Sequence, residues 1–119
     1  MMRPADDLPR VYLCREAVDM RKSINGLGVL VESVLNLNPF DPHLFAFCNR
    51  RKDKVKILYW EGNGFVLWYK RLERERFYWP ADVGEEAITL TGRELNWLLD
   101  GYDLSKLTRH RKLAYTTIL

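Results

Sequence analysis

The feature that most constrains this chain is the run from Leu44 to Pro80, where strand-like segments alternate with polar links of hairpin length. Leu44 to Asn49 is the first such segment. In Val55 to Trp60, one side carries Val55, Ile57 and Tyr59 and the other Lys56, Leu58 and Trp60. Phe65 to Lys70 repeats the pattern, with Phe65, Leu67 and Tyr69 set against Val66, Trp68 and Lys70. A period of two sends successive side chains to opposite faces of a sheet. Large groups on both faces predict one side packed on a helix and the other partly covered. Glu61-Gly62-Asn63-Gly64 supplies the positive φ of a tight antiparallel link, so a hairpin is expected there. Glu73 to Arg76 reads as a charged connection. Phe77 to Trp79 reads as a last short strand, which Pro80 must end or hold at an edge.

The flanks predict what covers this meander. Arg10 to Cys14 reads as a short strand joining the sheet. From about residue 19 to 35, Met20, Ile24, Leu27, Val31 and Val34 recur at helical spacing, and Leu30 and Leu35 broaden the stripe. Asp19 is placed to cap or pair with the first turn. Gly26 and Gly28 lie inside the pattern at a cost of about 1 kcal/mol each relative to alanine, and close packing of helix on sheet is the ordinary reason for them. Asn36 to Pro42 is a turn, and residues 81–88 read as an acidic loop. Thr91 followed by Glu94 is a capping box with Leu90 and Leu95 as its staple, so a second helix runs from about 92 to 99 and ends at Gly101. The expected fold is α+β: a small antiparallel meander sheet with an N-terminal strand, packed against a long helix (about 19–35) and a short C-terminal one (about 92–99). Residues 1–9 are expected to be a flexible N-terminus, 10–103 a single domain, and 104–119 a basic tail.

Chain length and residue types narrow the function. The 119 residues allow one domain with a real core. No run of 18 apolar residues occurs, and MMRPADDLPR lacks a signal-peptide core, so neither membrane contact nor export is expected. Cys14 and Cys48 stand far apart with no partner at ligand spacing, and read as reduced, buried thiols of a cytoplasmic protein. Gly62-Asn63-Gly64 lacks the lysine and hydroxyl of a phosphate-binding loop. His43 and His110 have no nucleophile at a recognisable spacing. Carboxylates for a metal nuclease would have to come from Asp19, Asp41, Asp53, Glu61 and Glu73, most of which sit beside arginine or lysine, where ion pairing accounts for them. No catalytic residue, metal or cofactor is expected.

Charge and aromatic content point to binding. Leu44 to Pro80 holds nine of the chain's 19 lysines and arginines against four acids, although the net charge is only +3. Arg50, Arg51, Lys52, Lys54 and Lys56 cluster at one turn, and Lys70, Arg71, Arg74 and Arg76 at another. Alternate turns of a meander fall at the same end of the sheet, so the two clusters are expected side by side as one phosphate-contacting patch. Trp60 and Trp68 are candidates for base stacking or for a partner surface. The bland alternatives are a solvated hairpin for the charges and a core for the tryptophans. Composition does not choose among DNA, RNA and an acidic protein.

A set of motifs goes further: Val18-Asp19-Met20-Arg21-Lys22, Gly26-Leu27, Asn38-Pro39-Phe40, His43-Leu44-Phe45, Asn49-Arg50-Arg51, Trp60-Glu61-Gly62-Asn63-Gly64-Phe65 and Leu67-Trp68-Tyr69-Lys70-Arg71-Leu72-Glu73. Over about residues 10–100 the chain resembles the small accessory protein of the insertion-sequence-sixty-six class of bacterial transposable elements. That protein is the product of the second reading frame and is distinct from the RNA-guided nuclease that shares its label, TnpB. The resemblance implies a non-enzymatic role in DNA transposition beside a larger transposase that carries the catalytic residues. DNA and the cognate transposase are the implied partners. It adds Arg21 and Lys22 to the candidate DNA-binding residues and marks Asp19, Asn49, Arg50, Arg51, Lys70, Arg71 and Glu73 as family-like. The sequence departs from the pattern at Cys14-Arg15-Glu16-Ala17, at Ser23, at Cys48 and after Asp103. Cys48 stands where arginine is common, which is expected to remove one positive group from the patch. Two readings follow: direct contact with DNA through the basic hairpin, or an adapter that binds the transposase without touching DNA.

Overall fold

The computed structural model describes residues 10–80 and 86–106; the expected flexible segment 1–9 and the tail from residue 107, including His110, lie outside the described residues. In chain order the elements are β1 (Val11–Cys14), α1 (Ile24–Ser33), β2 (Leu44–Cys48), β3 (Lys54–Glu61), β4 (Gly64–Arg71), β5 (Ala87–Leu90) and α2 (Gly92–Leu99). The strands form one sheet in the order β4-β3-β2-β1-β5. The expected meander is present: β2, β3 and β4 pair antiparallel, with Phe45 opposite Leu58 and a continuous β3–β4 register from Lys54–Arg71 to Glu61–Gly64. Gly62 has a φ of +61° and Asn63 does not go positive, the pattern of a II′ hairpin with glycine at its first central position.

The rest of the sheet differs from a plain meander. β1 lies parallel to β2, with Val11 opposite Leu44, because α1 carries the chain over one face and returns it in the same direction. The outer edge of β1 is taken by β5, antiparallel, from Val11–Leu90 to Cys14–Ala87. β5 falls partly within the segment read as an acidic loop. The open edge of β1 is what orders these four residues as a strand. Phe77 to Trp79 is not a strand. Phe77 and Trp79 are buried and Tyr78 is exposed, so the alternation is real, but the segment lies on the sheet instead of pairing within it. Its ties are Phe77 N–H donating to the Lys52 carbonyl at 2.7 Å and the buried Trp79 Nε1–H donating to the Cys14 carbonyl at 2.9 Å.

Alternation divides the core into two. On one face Val11, Leu13, Leu44, Ala46, Val55 and Ile57 pack with Trp68, Phe77, Trp79 and the α2 residues Leu95, Leu98 and Leu99. On the other, Cys14, Phe45, Phe47 and Leu58 meet Leu27 and Val31 of α1. The result is a three-layer sandwich in which each face of the sheet has its own helix. Leu104, the first residue of the expected tail, is buried with the α2 leucines.

α1 is shorter than the stripe predicted. Ser23 is its N-cap, without a side-chain capping bond, and residues 19–22 form a separate turn closed by Lys22 N–H donating to the Asp19 carbonyl at 3.1 Å. Asp19 therefore caps no helix. Its carboxylate accepts from the backbone N–H and guanidinium of Arg21. At the far end the Leu30 carbonyl accepts from both Val34 N–H (2.9 Å) and Leu35 N–H (3.2 Å), and after Asn36 turns left-handed Leu37 N–H reaches back to the Val31 carbonyl at 3.0 Å, which closes the helix. The two glycines do not serve helix-on-sheet packing. A Cβ at Gly26 would meet the Lys22 side chain at 3.3 Å, and one at Gly28 would meet nothing within 4 Å. α2 is as expected: Thr91 accepts from Glu94 N–H, the Glu94 side chain accepts from Thr91 N–H, and Gly101 ends the helix at a φ of +100°.

Candidate nucleic-acid interface

The basic residues converge at the end of the sheet where β1, β2 and β4 finish. Asn49 organises the β2–β3 turn. Its Oδ1 accepts from the backbone N–H groups of Asp53 (3.1 Å) and Lys54 (3.0 Å), and its Nδ2 donates to the Asp53 carboxylate at 2.6 Å. Lys52 N–H closes the turn on the Asn49 carbonyl at 3.1 Å, with Lys52 left-handed at a φ of +61°. This side-chain mimicry of a backbone turn is what asparagine does well, and it presents Arg50 and Arg51 at the tip. Leu72 N–H donates to the Asp53 carbonyl, and Phe77 N–H to that of Lys52, each at 2.7 Å. The turn at 50–54 and the connection at 73–76 therefore lie side by side.

The candidate cations then divide by what they do. Arg50, Arg51, Arg74 and Arg76 are exposed, and Lys52 and Lys54 are partly exposed. None of these six forms an ion pair with a described residue. Lys56 is occupied: its Nζ donates to the carbonyls of Met20 (2.7 Å) and Lys22 (2.9 Å) and lies 5.6 Å from the centre of the Tyr69 ring. It holds the 19–22 turn onto the sheet. Lys70 points to the opposite face, where its Nζ donates to the Leu99 carbonyl at 2.8 Å and satisfies an orphan acceptor at the end of α2. Arg71 pairs with Glu73 at 3.0 Å and Arg21 with Asp19 at 2.7 Å, while Lys22 is exposed.

The two tryptophans lie on opposite faces of the sheet. Trp68 is buried among the α2-side residues, with no room for a base against its ring. Trp60 is half-buried at the hairpin end, in edge contact with Phe40 and Phe65 at 5.0 Å each. It is about 20 Å along the strand from the basic end. The aromatic residue that does stand with the cations is Tyr69, opposite Lys56 in the register and 40% exposed. The alternation within β4 separates Tyr69 from Trp68, but only the strand register puts Tyr69 on the face of Lys54 and Lys56. Cys48 is buried facing α2, so its position is not part of the basic surface.

These pieces enclose an open cleft of about 590 Å³ between the loop after β1 and the turn after β2. Ala17 to Arg21 make one wall, Asn49 to Arg51 the other, and Lys54 and Tyr69 complete the lining. Four cations and one carboxylate, Asp19, line it, so its field is positive. The Arg21 hydrogen bond holds Asp19 down at about 2, so that carboxylate is ionised at neutral pH. Asn49 likewise lowers the pKa of Asp53. Burial raises Cys14 and pushes Cys48 up to about 12, so neither is a thiolate nucleophile at neutral pH. His43 has its Nδ1 buried without a partner and packs edge-on to Tyr12 at 5.4 Å, away from the cleft. Among the described residues no three His, Cys, Asp or Glu side chains converge to hold a metal, and no helix is long and apolar enough to cross a membrane.

Fold and site together define a class: a small three-layer α/β/α domain with a cationic cleft at the carboxyl ends of its two parallel strands. The chain belongs to the IS66 Orf2 like protein family, which it matches over residues 9–109. Members of this family are non-catalytic accessory proteins of an insertion sequence. Among its relatives, the uncharacterized protein y4hO of Sinorhizobium fredii (strain NBRC 101917 / NGR234) is 38% identical over 102 residues, covering 86% of this chain and 88% of the relative. The uncharacterized protein y4jC of the same organism is 33% identical over 109 residues, 92% of each chain. No solved structure matches this chain.

Proposed function

We propose that this accessory protein assists transposition by holding DNA through its phosphates at the basic end of the sheet, beside a separate transposase that does the chemistry. The observation that carries the reading is the pair of backbone hydrogen bonds from Leu72 and Phe77 to the 52–53 carbonyls, which bring two arginine-bearing turns together. Arg50, Arg51, Arg74 and Arg76 lie there with no carboxylate partner among the described residues. Such unpaired surface cations release condensed counterions when they meet a phosphate backbone. Lys56 and Lys70 take no part in this reading, since both ammonium groups are already hydrogen-bonded within the fold.

The test is DNA affinity measured against salt, with and without the purified transposase. Replacing Arg50 and Arg51 together by glutamine is expected to weaken binding at every sequence and to flatten the log–log salt dependence by about 2. If the protein shows no DNA affinity even at low salt yet is retained by the transposase, the adapter reading replaces this one. A specific observation favours that second reading: Phe40 is 54% exposed on top of Trp60 and Phe65, an apolar cluster at the end of the sheet away from the arginines. In that case Phe40→Ala, and not the arginine substitutions, would abolish retention.

A further inference from the structure

We infer that the cleft between the Ala17–Arg21 loop and the Asn49–Arg51 turn takes an unpaired nucleotide of single-stranded DNA, with its base against Tyr69 and its phosphate on Arg50, Arg51 and Lys54. This rests on the DNA-binding reading and specifies the form of DNA that the site distinguishes. Three observations support it. The volume, about 590 Å³, falls in the range of a small-molecule site and suits a nucleotide, whereas a duplex is too broad to enter and would touch only the rim. Tyr69 is 40% exposed in the lining beside Arg50, Arg51 and Lys54, so the cleft offers a base a π-surface as well as offering the backbone positive charge. The walls follow the carboxyl ends of β1 and β2, the two parallel strands, which is where open α/β sheets hold their ligands.

The pre-built state of the walls adds to this. Lys56 fixes the 19–22 turn by two hydrogen bonds to backbone carbonyls, and Asn49 fixes the opposite turn by three. Little ordering is then left to be done on binding. Arg21 lines the cleft but is held by Asp19, and Arg74 and Arg76 lie outside the lining, so these three contribute to any polyanion alike.

The experiment compares a short oligothymidylate with a duplex of the same length, each labelled and titrated with the full chain at fixed low salt. The single strand is expected to bind more tightly. Tyr69→Val, which keeps a strand-forming residue and removes the ring, is expected to weaken the single strand about tenfold or more while leaving the duplex unchanged. Tyr69→Phe is expected to keep the wild-type preference. A thermal melt of each variant identifies any loss that comes from unfolding, and Tyr69→Phe carries the comparison should the valine variant fold poorly: loss of preference with the phenyl ring intact would overturn the inference. Equal affinity for both forms, insensitive to Tyr69 but lowered by the Arg50 and Arg51 substitutions, would overturn it while leaving the DNA-binding reading standing. Absence of affinity for either form would overturn both.

Discussion

Single residues here act mostly through hydrogen bonds that no composition could reveal. Asp19 is an example: the Arg21 guanidinium and backbone N–H lower its pKa from the ordinary 3.8 to about 2. Because the folded value is depressed, whatever the pair adds to the 19–22 turn is complete above the ordinary value and is lost as pH falls through about 2. The pair is solvent-exposed, so the effect belongs to the turn and not to global stability. A carboxyl-carbon NMR titration should place the Asp19 midpoint near 2, and Arg21→Gln should raise it toward the ordinary value; equal midpoints in the two proteins would show the pair to be absent in solution. Gly28 offers a second check at this scale. It is helical, its φ is not positive, and a methyl group there meets nothing within 4 Å. Gly28→Ala should therefore stabilise the protein by about 0.5–1 kcal/mol, mainly by restricting the unfolded chain, as read from chemical denaturation midpoints. A loss of stability would mean that some close approach to α1 requires the glycine.

Among the elements, those with a clear pattern along their own segment were legible, and β5, which depends on a neighbouring edge, was not. The capping box at Thr91 and Glu94, the staple of Leu90 on Leu95 and the stop at Gly101 are all short-range, and α2 has the expected bounds. Thr91→Ala removes the acceptor for Glu94 N–H and should cost about 1 kcal/mol in a denaturant titration. Thr91→Ser, which keeps the acceptor, should retain most of the wild-type stability; equal losses for both would assign the effect to the threonine methyl group. β5 shows the opposite case, since its four residues are strand only because β1 has an open edge beside them. Phe77 and Trp79 show why burial alternation alone misleads. A segment lying on a sheet buries every second residue just as one paired within it does, and the difference is whether its backbone donors go to a ladder or to scattered carbonyls. Lys70 belongs here too. Its charge alone makes it a candidate phosphate contact, and it caps α2 instead because the β4 register turns it to that face.

For the whole molecule, the amino-acid sequence by itself determined the periods: the meander, two helices, a buried apolar set and a surplus of charge around two turns. These follow from side-chain spacing along one strand or helix, where a period of two or of 3.6 residues assigns a face without knowledge of the partner. It also carried the family, through motifs spread over most of the chain. What the tertiary structure decided was which of those groups meet. The parallel return of β2 beside β1 brings the loop after each strand to one end of the sheet, and the 72–77 segment adds its arginines there. The eleven candidate cations are thereby sorted into free, paired and structural ones. Tyr69, not a tryptophan, becomes the aromatic member of the cleft. Chain crossover and strand register set these long-range contacts, and neither leaves a mark within a single strand's own pattern.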